Sequence, residues 1–188
     1  KGLEYVWVPM NPFTNEKAVA ALKGADAGII DVETYDRTIF QEIKDTVKIL
    51  VRYGVGFDAV NLKDAAEAGI AISRTTAANA QAVAEMALTM IMGAKRLMHK
   101  NSENVNSGKW ERLIGSEMFG KTLGILGFGA IGSRVAKLFS GFDCNVLVYD
   151  PFLPKEVAES AKVKLAGLDE IFRESDAITV HVPYTKEN

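Results

Sequence analysis

Short apolar runs alternate with segments of helical periodicity over the first 75 residues of the chain. The apolar runs predict strands at Leu3–Val8, Ala27–Ile30, Lys48–Arg52 and Ile70–Ile72. Helices are predicted between them at Ala18–Leu22, Tyr35–Lys44 and 62–68, with Asn61 suited to begin the last helix and Gly69 to end it. Alternating strands and helices are typical of a parallel sheet covered by helices, so this part of the chain is predicted to be an α/β domain.

A long helix follows and separates this series from a second one. It is predicted over Ala80–Asn106, because apolar residues recur there at steps of three and four and therefore share one face. These residues are Val83, Met86, Ala87, Met90, Ile91, Ala94, Leu97 and Met98. We interpret this methionine-rich face as core. The change of character near residues 98–108 divides the chain into predicted domains at residues 1–98 and 99–188.

The second series is again of the α/β kind. Strands are predicted at Thr122–Leu126, Asn145–Tyr149 and Ala177–Val182, with a further apolar run at Val163–Leu165. Helices are predicted at Ile131–Ser140, Lys155–Ser160 and Leu168–Phe172. The fold class expected for the whole chain is therefore α/β with parallel sheets.

A glycine-rich motif lies between the first strand and first helix of this second series. Gly127, Gly129 and Gly132 fit the pattern G-x-G-x-x-G, and a following strand ends at Asp150, 18 positions after Gly132. That context predicts a dinucleotide site, in which the amides of Ala130 and Ile131 face the pyrophosphate. Here Gly127 permits the tight turn, Gly129 lets the phosphates approach, and Gly132 packs the helix on the sheet.

The acidic residue selects between cofactors. Asp150 is suited to bind the ribose diol of NAD, and it would repel the extra phosphate of NADP because no lysine or arginine follows in Pro151–Leu153. The alternative is a glycine-rich turn in an unrelated α/β domain, with Asp150 a turn residue at the strand end.

Composition excludes several other classes of protein. A net charge of −2 over 188 residues gives no general attraction for nucleic acid or anionic membranes. The apolar runs are too short to span a bilayer, and the first residues lack the pattern of a signal peptide. The single cysteine, Cys144, fits a reducing cytoplasm, and no metal site is predicted. We therefore expect a cytoplasmic protein that acts on small molecules.

Several segments resemble one family in residue content and in order. They are VRYGVGFDAVNLKDAAEAGIAIS, ANAQAVAEMAL, GKTLGILGFGAIGSRVAKLF, VLVYDP and SDAITVHVPYTKEN, and they cover nearly all of the chain from Leu50 onward. The sequence is similar to the D-2-hydroxyacid dehydrogenases, which include phosphoglycerate, glyoxylate/hydroxypyruvate and D-lactate dehydrogenases. The resemblance implies a flavodoxin-like substrate domain followed by the first half of a Rossmann domain that binds NAD. It also implies hydride transfer between a 2-hydroxy acid and its 2-oxo acid, and a homodimer.

The resemblance assigns further residues to the site. The amides of Val55 and Gly56 would hold the substrate carboxylate, as bare N–H groups at a strand end can, although a plain turn is the alternative. Asn79 would face substrate and nicotinamide, or it would cap the long helix, or both. The segment His181, Val182 and Pro183 would line the adenosine side of the cleft, with Pro183 otherwise a strand stop.

Two stretches depart from the family, and its catalytic residues are not among residues 1–188. Arg74 stands in a stretch that is often Asn-Thr-Pro-Gly-like in the family, where it could influence substrate choice or be a solvated surface residue. Ala59 and Asn61 stand where the family commonly has Asn and Asp, a difference that affects local helix capping more than the chemistry. The family's catalytic Arg, Glu and His are expected beyond Asn188, and neither His99 nor His181 is interpreted as the proton donor. We expect the native polypeptide to continue and residues 1–188 alone to show no turnover.

The expected sheet is correspondingly incomplete. About three strands of six follow Lys121, so the strand Thr122–Leu126 is expected to expose an unpaired edge.

Two other functions remain open: an NAD-sensing scaffold like the corepressors that share this fold, and an inactive NAD-binding fragment. Within enzymes, oxidation of formate or phosphite also remains open, because the Rossmann half does not contact the reacting group.

Overall fold

A computed structural model describes residues 2–183, and the chain divides into two compact units, Lys1–Ala78 and Asn79–Asn188. The division falls 20 residues before the boundary suggested by the sequence. The reason is the helix that follows Asn79, which packs against a helix of the second unit and not as an extension of the first. Each unit is described by itself below.

The first unit is built on a parallel sheet of three strands. These are β1 (Ala27–Ile30), β2 (Ile49–Arg52) and β3 (Ala71–Arg74), in the order β1-β2-β3. The helices are α1 (Asn15–Leu22), α2 (Arg37–Ile43) and α3 (Leu62–Glu67). Their apolar faces meet Leu50 of the central strand in a core that includes Ile39 and Phe40.

Side chains at the helix starts explain where these helices begin. Thr14 accepts a hydrogen bond from the Lys17 amide, and Asp36 accepts from the amides that open α2. Asn61 accepts from the Asp64 amide at 3.1 Å, which confirms its predicted role as the cap of α3. Gly69 follows α3 with φ +71°, the left-handed conformation that ends helices.

The strand predicted at Leu3–Val8 is wrong. No strand of the described residues pairs with this segment, and Leu3 is 98% exposed. An apolar run forms a strand only where a neighbouring edge accepts its backbone hydrogen bonds. The sheet of this unit instead begins with β1.

Within residues 79–183, the second unit contains five helices, two of which precede a parallel sheet of four strands. The helices are α4 (Ala80–Lys95), α5 (Met98–Asn106), α6 (Gly132–Phe139), α7 (Lys155–Ser160) and α8 (Leu168–Glu174). The strands are β4 (Thr122–Leu126), β5 (Asn145–Tyr149), β6 (Lys164–Leu165) and β7 (Ala177–Val180). A 3₁₀ turn at Ser140–Phe142 extends α6.

The order of the strands in this sheet is β6-β5-β4-β7, all parallel. The expectation that Thr122–Leu126 is unpaired at one edge is therefore wrong, because β5 lies on one side of β4 and β7 on the other. The short run near Val163 forms a true strand, and the chain returns across the sheet to place β7 next to β4. Strand order thus reverses between β4 and β7, at the kind of switch point where α/β sheets bind ligands.

The long helix predicted over Ala80–Asn106 is two helices. Leu97 takes the left-handed conformation, with φ +52°, and separates α4 from α5, which buries none of its residues. The predicted apolar face is also only partly core: Ala84 is buried and Ile91 packs on the core, but Met90 is 67% exposed. Met86 and Met98 are likewise exposed. Periodicity identifies an apolar stripe but does not tell which part of it has a neighbour.

Candidate dinucleotide site

The turn from β4 into α6 has a backbone that only glycine fits at its first position. Gly127 has φ +91°, and a Cβ there would lie 2.8 Å from the carbonyl oxygen of His181. The Gly127 amide donates to Tyr149 O at 2.9 Å, which ties the turn to the end of β5. The predicted tight turn is therefore present, at the carboxyl ends of β4, β5 and β7.

The other two glycines of the motif have different surroundings. A Cβ on Gly132 would lie 2.1 Å from the Gly127 carbonyl oxygen, so only glycine lets the helix pack this closely. A Cβ on Gly129 would meet nothing within 4 Å. The space over Gly129 is thus open to a ligand, whereas the space at Gly132 is filled by the protein itself.

Four consecutive amides at this turn have no acceptor among residues 2–183. They belong to Gly129, Ala130, Ile131 and Gly132, and the first amide of α6 that donates back is that of Ser133, to Gly129 O at 3.1 Å. Unpaired N–H groups at a helix start carry partial positive charge that favours an anion. The turn can therefore bind a phosphate group through its backbone alone.

Asp150 follows β5 and points its carboxylate back at this turn. Its Oδ2 accepts a hydrogen bond from the Phe128 amide at 2.8 Å, and its Oδ1 accepts from the Phe152 amide at 2.9 Å. An ionised carboxylate offers about four acceptor positions, so about two remain for the hydroxyls of a sugar. The bond from Phe128 was not predicted, since only the folded turn brings that amide 22 residues along the chain to Asp150.

The segment after β7 closes the same turn from the other side. The His181 amide donates to Leu126 O at 2.7 Å, and its carbonyl oxygen lies over Gly127. The side chain of Val182 also lies against Gly127, and Pro183 follows it. His181 Nε2 lies 2.9 Å from Thr179 Oγ1, and partial burial lowers the pKa of this imidazole below its ordinary value.

In the first unit, a smaller hollow lies at the carboxyl ends of β1 and β2. It has a volume of about 190 Å³, and its lining includes Asp31, Arg52, Gly56 and Phe57. The amides of Val55 and Gly56 have no acceptor within the described part of the chain. These two predicted residues therefore do offer free N–H groups at a strand end.

Asn79 lies at the N-cap position of α4 but makes no capping hydrogen bond with its side chain. Its exposed side-chain amide is thus not used to cap the helix.

A larger hollow of about 630 Å³ in the second unit is not the dinucleotide crevice. Its lining includes Met90, Lys95, Ile114 and Asp176, and Asp176 precedes β7. It therefore lies at the amino end of that strand, whereas the free amides lie at the carboxyl ends. Asp176 Oδ2 already accepts a hydrogen bond from the Thr122 amide at 3.0 Å.

Residues 2–183 contain neither a membrane-spanning helix nor a metal-binding cluster. None of the helices in that range is both long enough and apolar enough to cross a membrane. The same residues hold no group of three histidine, cysteine or acidic side chains arranged to bind a metal.

The switch point, the free amides and the strand-end carboxylate together define a dinucleotide-binding α/β protein. Residues 88–188 match the model of the D-isomer specific 2-hydroxyacid dehydrogenase NAD-binding domain. The chain therefore belongs to the D-isomer specific 2-hydroxyacid dehydrogenase family, and NAD is the cofactor of this domain.

Individual relatives agree with this assignment. The chain is 37% identical to D-3-phosphoglycerate dehydrogenase of Archaeoglobus fulgidus, over 93% of the chain and 33% of that protein. It is 29% identical to glyoxylate reductase of Korarchaeum cryptofilum, over 97% of the chain and 57% of that protein. The apo-structure of D-lactate dehydrogenase from Escherichia coli matches with a TM-score of 0.83 and 34% identity, over 93% of the chain and 56% of that structure. The chain thus spans between a third and somewhat over half of these relatives.

Proposed function

We propose that the full-length protein is an NAD-dependent oxidoreductase that interconverts a D-2-hydroxy acid and its 2-oxo acid, as a phosphoglycerate dehydrogenase does. The observation that carries the proposal is the row of free amides at Gly129–Gly132 beside the Asp150 carboxylate. Family membership and relatives named for phosphoglycerate, glyoxylate and lactate support the same reaction class. Bound NAD would supply the hydride acceptor.

Different residues of the second unit would bind different parts of the cofactor. The amides of Ala130 and Ile131 bind the pyrophosphate, and Gly129 leaves room for it. The remaining acceptor positions of Asp150 bind the ribose diol and disfavour the extra phosphate of NADP through like charge. His181, Val182 and Pro183 line the adenosine side. The second unit is thus the NAD-binding domain, and the first is proposed as the substrate domain.

The substrate would be held through its carboxylate. The free amides of Val55 and Gly56 bind that group, and Asn79 faces the reacting part of the substrate. No proton donor is assigned among the described residues, since His181 belongs to the cofactor wall. The Arg, Glu and His that the resemblance implies are proposed to lie beyond Asn188. The resemblance favours a homodimer, and the single cysteine favours a cytoplasmic location.

The proposal is tested on the full-length protein with NADH and a panel of 2-oxo acids. We expect NADH absorbance to fall with at least one of them, and NADPH to bind more weakly than NADH. Asp150→Asn removes the charge and one of the two oxygens that accept from the Phe128 and Phe152 amides, so NADH affinity should fall by about tenfold or more and the discrimination against NADPH should shrink.

Asp143→Asn is the matched control, because Asp143 is exposed and takes a left-handed conformation that asparagine tolerates. It should leave both affinities unchanged. NADH binding without turnover of any 2-oxo acid would contradict the dehydrogenase proposal and favour an NAD-binding scaffold. Absence of NADH binding would contradict the site itself.

A further inference from the structure

Two arginines end neighbouring strands of the first unit, and only one of them is neutralised. Arg52 and Arg74 are partners in the register of β2 and β3. The Arg52 side chain is 15% exposed, lies 3.8 Å from the Asp31 carboxylate and bonds the Tyr53 carbonyl. Arg74 is exposed and has no ion-pair partner within residues 2–183. The charge of Arg74 is therefore free to act on its surroundings.

The guanidinium of Arg74 makes two contacts, and both are to the loop that carries the free amides. Its Nη1 donates a hydrogen bond to the Val55 carbonyl at 3.0 Å. Its Cζ lies 4.8 Å from the centre of the Phe57 ring, within the range of a cation–π contact. The side chain is thus held over residues 55–57 while it stays exposed to solvent.

The bond to Val55 O determines which way the next amide points. A trans peptide is planar, so the Val55 C=O and the Gly56 N–H point in opposite directions. Holding the carbonyl on the Arg74 side therefore turns the Gly56 N–H to the other side. Gly56 would not hold this peptide by itself, because it has no Cβ to restrict rotation about its own N–Cα bond.

We propose that Arg74 is a positioning residue that fixes the Val55–Gly56 peptide so that the Gly56 N–H faces the substrate carboxylate. The proposal rests on the proposed function, which places that carboxylate at these amides. A flipped peptide would offer the anion a carbonyl oxygen in place of a donor. The positively charged Arg74 guanidinium, bonded to the Val55 carbonyl, also polarises this peptide and strengthens the Gly56 N–H as a hydrogen-bond donor.

Two carboxylates near the loop oppose an anion there. The Asp58 Oδ2 lies 3.7 Å from the point where a Cβ of Gly56 would stand, and Asp31 lies in the same hollow. Both carboxylates would repel an anion at the loop, and Asp31 is partly offset by Arg52. Arg74 supplies the remaining positive charge, on the side of the peptide away from the proposed anion.

The test compares Arg74→Met and Arg74→Lys in the full-length protein, with Arg37→Met as the matched control. Arg37 is an exposed arginine of the same unit that pairs with Glu67 on the surface. For the 2-oxo acid that the wild type reduces best, Arg74→Met should raise KM by about tenfold or more, the effect of losing one charged hydrogen bond. The NADH affinity and the unfolding midpoint should stay unchanged. Arg74→Lys should recover part of the loss, and Arg37→Met should match the wild type.

A second readout does not depend on turnover. Oxalate is titrated into the labelled full-length protein, and the amide resonance of Gly56 is followed by NMR. We expect oxalate to shift this resonance in the wild type and in Arg37→Met, and to shift it much less in Arg74→Met. Equal oxalate shifts in the wild type and Arg74→Met would overturn the proposal, as would an unchanged KM. If the wild type reduces no 2-oxo acid but the oxalate shift depends on Arg74, the proposed function fails and the positioning role stands.

Discussion

Methyl groups added at Gly129 and at Gly132 should have different effects. At Gly129 the new Cβ meets no protein atom within 4 Å, and the residue lacks a positive φ. At Gly132 it would lie 2.1 Å from the Gly127 carbonyl oxygen and 3.2 Å from Ile125 Cγ2. Gly129→Ala is therefore expected to fold normally and to obstruct only the cofactor, whereas Gly132→Ala should disturb the fold.

The sizes of these effects follow from the contacts. The overlap at Gly132 is with backbone and not with the end of a flexible side chain, so the helix must move, at a cost of about 1–3 kcal/mol in the free energy of unfolding. Gly129→Ala should change that free energy by no more than about 0.5 kcal/mol. The methyl group over the free amides should weaken at least one charged hydrogen bond to the pyrophosphate. That loss is about 1.5–3 kcal/mol, or roughly 10- to 150-fold in the Kd for NADH.

Two measurements separate the outcomes. Urea unfolding followed by circular dichroism gives the stability, and NADH fluorescence gives the Kd. Gly141→Ala is the control, because a Cβ there also meets nothing within 4 Å and the site lies apart from the turn. Normal NADH affinity in a folded Gly129→Ala protein would refute the placement of the phosphates on these amides. Wild-type stability of Gly132→Ala would refute the close packing of α6.

Three further outcomes test single groups. Asn61→Ala removes the acceptor for the Asp64 amide at the start of α3 and should lower the free energy of unfolding by about 1 kcal/mol, measured by urea unfolding. Burial lowers the pKa of His181, so the folded state binds the imidazole proton less readily than the unfolded state does. The contribution of His181 to the free energy of unfolding should therefore be complete above pH 6.5 and fall as the pH drops below that value. His181→Gln should flatten this dependence. Burial, with Glu33 and Asp31, raises the pKa of Tyr35 from 10.0 to about 12. The contribution of Tyr35 to the free energy of unfolding is therefore present below pH 10 and lost as the pH rises through about 12. Absorbance at 295 nm should show this late ionisation in the wild type but not in Tyr35→Phe.

The sequence predicted the features that local chain chemistry determines. The turn at Gly127 and the cap at Asn61 each depend on a few neighbouring residues, and both are present in the structure. The pairing of β4 on both sides was missed because it depends on β7, more than 50 residues further along the chain. The same limit explains Leu3–Val8, an apolar run with which no strand of residues 2–183 pairs.

Details of the candidate sites were missed for a related reason. The bond from the Phe128 amide to Asp150, and the contact of Arg74 with Val55 O, each join residues about 20 positions apart. Neither contact can be recognised from the spacing of residues in the sequence, because any acidic or basic residue at a strand end fits the same pattern of strands and helices. The departure at Arg74 marked the position as unusual, but only the geometry shows what the guanidinium holds.

The left-handed residue Leu97 separates α5 from α4, and α5 buries none of its side chains. Little apolar contact is lost when such a segment opens, so its backbone amides should exchange hydrogen for deuterium through small local fluctuations. The amides of β4, in the middle of its sheet, should exchange only when the whole unit unfolds. One domain should therefore show two widely different rates of isotope uptake, with Leu97 at the border between them.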